Sequence, residues 1–144
     1  MPTLHLAYCP AAIEPEHRQI AARLTEMTAS LLHKRADLTL VQLQCVPALD
    51  WWVGGQQPAA AGLAGYRLRI DVSDGSNTEA EIAAFIAAAH AALVDLLGAV
   101  HPASYVLVQA QPMSSWGWSG VSQAARRADA AQVDGARSGA EAGA

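Results

Sequence analysis

The sequence predicts an α+β domain in which two tandem β-α-β units form one four-stranded sheet with two helices on one face. Two observations indicate this fold: the chain repeats itself, and each half combines strand-like and helix-like hydrophobic patterns. The repeat relates Leu6-Ala7-Tyr8 to Ile70-Asp71-Val72. Trp51 recurs as Trp116 at nearly the same offset, so the repeat extends from the first strand of each unit to the loop that ends it.

The first unit is predicted to begin with a strand at Thr3–Tyr8, where polar and aliphatic side chains alternate. A helix follows, because apolar residues recur at helical spacing: Ile20, Leu24, Met27 and Leu31. A proline and two acidic residues suit its first turn: Glu14, Pro15 and Glu16. Three cations suit its other end: His33, Lys34 and Arg35. The second strand is predicted around Leu38–Val46.

The second unit follows the same order, with strands at Tyr66–Val72 and Tyr105–Ala110. Its helix carries an equivalent apolar stripe: Ile82, Ile86, Ala89 and Leu93. Asn77 or Thr78 can cap the start of this helix, and Gly98 can end it. Right-handed crossovers would pair the two strands of each unit in parallel.

We expect one domain over residues 2–121, with the first repeat at 2–57 and the second at 65–121. Residues 122–144 are rich in Ala and Gly without apolar periodicity, which predicts a flexible tail with at most a short helix around 123–131. The helix-free face of the sheet would carry Arg67, Arg69 and Asp71, together with Val41 and Leu43 or their neighbours. A short sheet uncovered on one side favours self-association.

Composition excludes several classes of function. The net charge of -4 without a large basic cluster argues against nucleic acid as a partner. No stretch approaches a membrane span and no signal peptide is evident, while Cys9 and Cys45 lack a CxxC spacing; together these features predict a cytoplasmic protein. The histidines show no ligand spacing, so we expect no metal site.

Pro2 is the strongest candidate for chemistry. Removal of the initiator Met is favoured before a small residue and would leave Pro2 with a free secondary amine at the start of a strand. The pKa of an α-amino group is ordinarily about 7.7–8.0, and desolvation lowers it. Such an amine can act as a general base or as a covalent catalyst at neutral pH.

Pro2 at the start of a strand, the duplicated unit and a Pro-x-x-x-Trp loop after each unit resemble the tautomerase superfamily. The loops are Pro47–Gly55 and Pro112–Gly120. The fused chain is similar to the cis-3-chloroacrylic acid dehalogenases and malonate semialdehyde decarboxylases, and more distantly to macrophage migration inhibitory factor. The resemblance covers residues 2–121. It implies a homotrimer, no metal or organic cofactor, and Pro2 as the catalytic amine.

The chain departs from that pattern where the dehalogenase branch binds carboxylates and activates water. The arginines expected at the start of the second helix are replaced by Ser73-Asp74-Gly75-Ser76. The assisting His falls at Thr28 or Ala29, the water-activating Glu near Trp118 and its Tyr partner near Leu107. Asp37 precedes Pro47 by ten residues, like the water-activating Asp of the decarboxylase.

Arg69 is a candidate carboxylate ligand, although an ion network at a subunit interface is the favoured alternative for it. Arg126 and Arg127 could reach the pocket from the tail, but solvated surface is the favoured interpretation. All four tryptophans lie in the two loops, and three of them are candidates for the pocket wall: Trp51, Trp116 and Trp118.

The resulting hypothesis is a cofactor-independent tautomerase in which Pro2 moves a proton on a small carbonyl or enol, such as the enol of phenylpyruvate. Two alternatives stay open. One is a decarboxylase or hydratase that relies on Asp37, and the other is a non-catalytic ligand-binding trimer.

Overall fold

A computed structural model describes residues 1–141, with side chains through Asp134. It confirms the predicted architecture of two β-α-β units. The elements are β1 (Thr3–Cys9), α1 (His17–Leu32), β2 (Leu40–Cys45), β3 (Gly65–Ser73), α2 (Glu79–Leu97), β4 (Tyr105–Gln111), β5 (Gly117–Trp118), β6 (Val121–Ser122) and α3 (Gln123–Glu141). The strand order of the four-stranded sheet is β2-β1-β3-β4. Strands pair in parallel within each unit, and β1 and β3 pair antiparallel at the centre.

The core lies between the sheet and the helices α1 and α2. Leu4 and Leu6 of β1 and Leu68 and Ile70 of β3 are almost fully buried there. Each such side chain stabilises the fold by about 1.5–3 kcal/mol relative to an exposed one. The predicted stripe of α1 is confirmed, with Leu31 partly buried at its edge.

The predicted stripe of α2 is wrong at Ile86, which is 38% exposed. Ala89 and Leu93 of the predicted stripe are fully buried, and Phe85, which the prediction omitted, is fully buried with them. Because α2 is apolar on most of its surface, the hydrophobic period could not fix which side faces the sheet. The expectation that no stretch approaches a membrane span is also wrong by length and composition, since Glu79–Leu97 is a 19-residue helix of mean hydropathy 1.8. One face of this helix packs in the core against the sheet and α1.

The two helix starts differ. Thr78 caps α2 in a capping box, accepting from the backbone N–H of Glu81 while the Glu81 carboxylate accepts from that of Thr78. In contrast, α1 begins only at His17, after the two acidic residues that were expected in its first turn, and Glu16 makes no side-chain cap. At the other end of α1, His33 adopts a left-handed conformation with φ of 56° and turns the chain out of the helix.

On the face of the sheet away from the helices, Arg69 and Asp71 form an ion pair at 2.8 Å. Gln111 and Thr3 also donate to the Asp71 carboxylate. Burial alone would raise the pKa of Asp71, but the hydrogen bonds from Arg69 and Gln111 outweigh it and lower that pKa. Val41 and Leu43 do not lie on this face, because both pack against the core.

The segment after Ser122 forms a longer helix than the sequence predicted. Its Ala-rich composition favours helix even without an apolar stripe, and α3 continues to Glu141. Residues 142–144 of the predicted flexible tail lie outside the described residues.

Candidate active site

A pocket of about 300 Å³ opens at the amino-terminal end of β1. Its walls come from the chain terminus, the segment after α1, the β5–β6 hairpin and the first turn of α3. The lining residues are Met1, His33, Lys34, Arg35, Leu38, Trp118, Gln123 and Arg126. Three separate parts of the sequence therefore meet around the residue that precedes Pro2.

Sheet pairing fixes the position of Pro2 beside this pocket. Pro2 is buried, and its carbonyl oxygen accepts a hydrogen bond of 3.2 Å from the backbone N–H of Leu40. Met1 is only partly buried and lines the pocket. Burial, followed by the charge of Lys34, lowers the pKa of the Met1 amine. The chain terminus therefore lies where the ammonium form is less stable than it is in water.

Lys34 lies in the pocket because α1 ends two residues before it, and its Nζ donates a 2.8 Å hydrogen bond to Ser76 Oγ. Burial lowers the pKa of Lys34, an effect that the charge of Glu81 partly opposes.

Arg126 contacts the pocket from α3. Its guanidinium carbon lies 3.8 Å from the centroid of the Trp118 ring, and Nη2 donates to the Trp118 carbonyl oxygen at 3.0 Å. The pocket therefore holds an aromatic wall and two cations from distant segments, Lys34 and Arg126.

Within the described part of the chain, two buried nitrogen atoms of residues that line this pocket have no hydrogen-bond partner: Arg126 Nε and Gln123 Nε2. A buried polar group without a partner is costly, so an acceptor that reached either N–H group would be favoured. Trp116 Nε1 and His5 Nε2 are also buried without a partner, but neither residue lines this pocket.

Two further basic residues of the pocket, Arg35 and His33, have acidic partners. Arg35 binds the Asp37 carboxylate at 2.6 Å, and His33 Nε2 lies 3.3 Å from Glu81 Oε1. The hydrogen bond from Arg35 holds the pKa of Asp37 below its ordinary value. Asp37 is exposed and does not line the pocket, so its predicted role in substrate binding gains no support from its position.

Among the other predicted site residues, only Trp118 lies in the pocket with Met1. Trp51 covers the start of β3, where its indole occupies the space that a Cβ of Gly65 would need. Trp116 lines a separate cleft beside the β5–β6 hairpin, and Arg69 lies with Thr3 and His5 on the open face of the sheet. Their substrate-binding roles stay predictions.

The sequence pattern does not identify most residues of the pocket. It indicates His33, Lys34 and Arg35 only as charges at the end of α1, and it predicts a flexible tail at Gln123. Arg126 was considered and then assigned to the solvated surface. The available signal was the lone Arg126-Arg127 pair directly after the second loop.

No model of a known protein family matches the chain, and no curated protein matches it in sequence. Solved structures do match. Pt0534 inactivated by 2-oxo-3-pentynoate superposes with a TM-score of 0.75 at 18% identity, covering 86% of this chain and 98% of its own. Native fused 4-OT gives a TM-score of 0.70 at 23% identity, with 84% and 97% covered. The chain has the tautomerase fold.

Macrophage migration inhibitory factor from Oncomelania hupensis has the same fold. It superposes with a TM-score of 0.69 at 16% identity, covering 85% of this chain and 82% of its own. These matches agree with the predicted tautomerase resemblance and confirm the fold. The dehalogenase-like branch stays a prediction. Within the tautomerase fold of this chain, the pocket at Met1 lies at the start of the central strand β1.

Proposed function

We propose that this chain is a cofactor-independent tautomerase in which Pro2, freed by removal of Met1, is the general base. The observation that carries the proposal is the pocket at the start of β1, where burial and Lys34 lower the pKa of the terminal amine. Removal of Met1 would move that amine to Pro2 and vacate the space that Met1 fills. The charge of Lys34 would still favour a neutral Pro2 amine.

The reaction is a proton transfer on a small carbonyl or enol substrate. The neutral Pro2 amine would take a proton from an enol oxygen or from the carbon next to a carbonyl, and would return it elsewhere on the conjugated system. Negative charge develops on the substrate oxygen in this step. Lys34 and Arg126, two basic residues that line the pocket, would stabilise this charge.

Structural neighbours support this class of chemistry. One is fused 4-OT and another is Pt0534 inactivated by 2-oxo-3-pentynoate, an electrophilic alkynyl ketone. A related solved form of fused 4-OT is a symmetric trimer, with a TM-score of 0.74. We propose a homotrimer here as well, associated through the open face of the sheet, where Arg69 and Asp71 pair. Trp51 or Trp116 would contribute to a site only across such an interface between subunits.

The experiment that tests the function measures ketonisation of phenylpyruvate enol by ultraviolet absorbance. The sample is protein shown by intact mass to lack Met1. Pro2→Ala keeps a terminal amine but replaces the rigid secondary amine by a primary one. We expect kcat/KM to fall by about 10²–10⁴, while the melting temperature changes little. Unchanged kcat/KM in Pro2→Ala would contradict the role of Pro2.

A decarboxylase or hydratase that depends on Asp37 has less support, because Asp37 is exposed and neutralised by Arg35. A non-catalytic ligand-binding protein would show no turnover by the wild type with any enol offered. That outcome would remove the enzymatic proposal.

A further inference from the structure

The helix α3 follows directly after the second β-α-β unit and belongs to neither unit. Pt0534 matches along 98% of its own length but covers only 86% of this chain, so part of this chain has no counterpart there. A terminal helix of 19 residues is about the length of that unmatched part. We infer that α3 is an addition to the shared fold and that it adds Gln123 and Arg126 to the wall of the pocket.

The first turn of α3 is fixed against the loop that follows β4. The backbone N–H of Gln123 donates to Trp116 O at 3.0 Å, and that of Ala124 donates to Met113 O at 2.9 Å. Ser122 caps the turn by accepting from the N–H of Ala125 at 3.2 Å. These bonds hold Gln123 and Arg126, which lie three residues apart on one side of the helix, at the wall of the pocket.

Among the described residues, two hydrogen-bond donors of this wall lack an acceptor. Arg126 Nε and Gln123 Nε2 are buried donors without partners, and Lys34 adds a third donor to the same pocket. No ion pair joins Lys34 or Arg126 to an acidic side chain within residues 1–133. Two positive charges and two free N–H donors around one cavity fit an anion with several acceptor atoms.

We propose that α3 completes a carboxylate subsite in which Arg126 and Gln123 bind a substrate carboxylate together with Lys34. This inference rests on the proposed function, because it names the residues that would make the same pocket select substrates with a carboxylate over neutral ketones. A guanidinium donates to two carboxylate oxygens at once, a geometry that the ammonium of Lys34 cannot supply. The ring of Trp118 and its carbonyl oxygen hold that guanidinium in place.

Arg127 provides a matched control on the same helix turn. Its side chain is exposed and its Nη1 lies 3.6 Å from Met113 Sδ, and it does not line the pocket. Arg126→Gln and Arg127→Gln remove the same charge from adjacent positions. A long-range electrostatic effect would therefore change both variants alike, whereas a direct contact would change only one.

The experiment measures binding of two unreactive probes by calorimetry, 3-phenylpropionate and its neutral amide. Both are titrated into Met1-free wild type, Arg126→Gln, Arg127→Gln and Pro2→Ala. We expect the wild type to prefer the acid, and Arg126→Gln to weaken acid binding by about 10- to 100-fold with little change for the amide. Arg127→Gln should change acid binding less than twofold.

Equal affinity of the wild type for acid and amide would overturn the carboxylate subsite, and so would equal losses in Arg126→Gln and Arg127→Gln. Thermal melts of each variant identify a loss of acid binding that is caused by unfolding. In that case Arg126→Lys serves as a second variant, which keeps the positive charge but loses the guanidinium group. The catalytic proposal can fail separately. If the wild type binds the acid selectively, Arg126→Gln abolishes that binding and the wild type shows no turnover, the carboxylate subsite is supported and the tautomerase proposal is contradicted.

Discussion

Pro2 and Tyr66 occupy corresponding positions in the two repeats. Their surroundings differ, because Pro2 lies beside a pocket and Tyr66 lies in the core. Pro2 lies beside an open pocket that holds Lys34 and Arg126. Tyr66 is buried within the chain, with its backbone N–H on Ser104 Oγ at 3.3 Å and its hydroxyl 2.7 Å from His90 Nδ1. The ring of Tyr66 therefore belongs to the core of the chain.

The neighbouring tryptophans reinforce this difference. Trp51, from the loop of the first unit, packs on Gly65 at the start of β3. Trp118, from the loop of the second unit, leaves space at the start of β1 and positions Arg126 beside it. A duplicated framework can therefore keep the strands, the helices and a cavity in both units, of about 300 Å³ at the start of β1 and about 230 Å³ near the start of β3. Of these two cavities, the first is lined by lysine and arginine side chains of the described residues and the second is not.

The largest expected effect comes from making the first unit resemble the second. Insertion of a single Gly between Met1 and Pro2 would yield a mature chain in which Pro2 nitrogen is an amide, like that of Tyr66. We expect kcat/KM for phenylpyruvate enol to fall by about 10²–10⁴, because an amide nitrogen cannot accept the proton. If this extended chain, verified by intact mass, retained full activity, the free Pro2 amine would not be what distinguishes the first unit from the second.

Gly65→Ala tests the packing of Trp51 at the start of β3. The added Cβ would overlap the indole of Trp51, so we expect the free energy of unfolding to decrease by about 1–3 kcal/mol in urea titrations. Combining it with Trp51→Ala should cost less than the sum of the two single changes, because the overlap disappears. Strict additivity would show that Trp51 does not pack on Gly65.

Lys34→Met tests the electrostatics of the open end while keeping the aliphatic stem of the side chain. Lys34 lowers the pKa of the terminal amine, and the amine acts as a base only when neutral, which means above its pKa. Removal of the charge should therefore raise that pKa and displace the rise of kcat/KM to higher pH. Lys34→Arg keeps the charge and should keep the profile. A profile that Lys34→Met leaves unchanged would contradict this account.

The smallest effect is expected from Asp37→Asn. The Arg35 and Asp37 side chains are 69% and 63% exposed, and such surface pairs contribute little. Activity and melting temperature should change less than twofold and less than about 2 °C respectively. A large loss of activity would revive the decarboxylase or hydratase alternative.

Much of the fold could be predicted from the sequence, because each β-α-β unit is specified by local patterns and the repeat shows them twice. The orientation of α2 could not, since its apolar residues surround the helix. Of the predicted site residues, Trp118 lines the pocket and Pro2 lies beside it, next to Met1. Arg126 and Gln123 reach the pocket through backbone bonds between α3 and the loop after β4, and no periodicity records such contacts.

The most direct test of the central claim is labelling with 2-oxo-3-pentynoate, followed by intact mass and peptide mapping. The account predicts a chain lacking Met1 that takes one adduct, located on Pro2 and absent from Pro2→Ala. Adducts only on Cys45 or Lys34, or none on a Met1-free chain, would contradict a nucleophilic amine in this pocket.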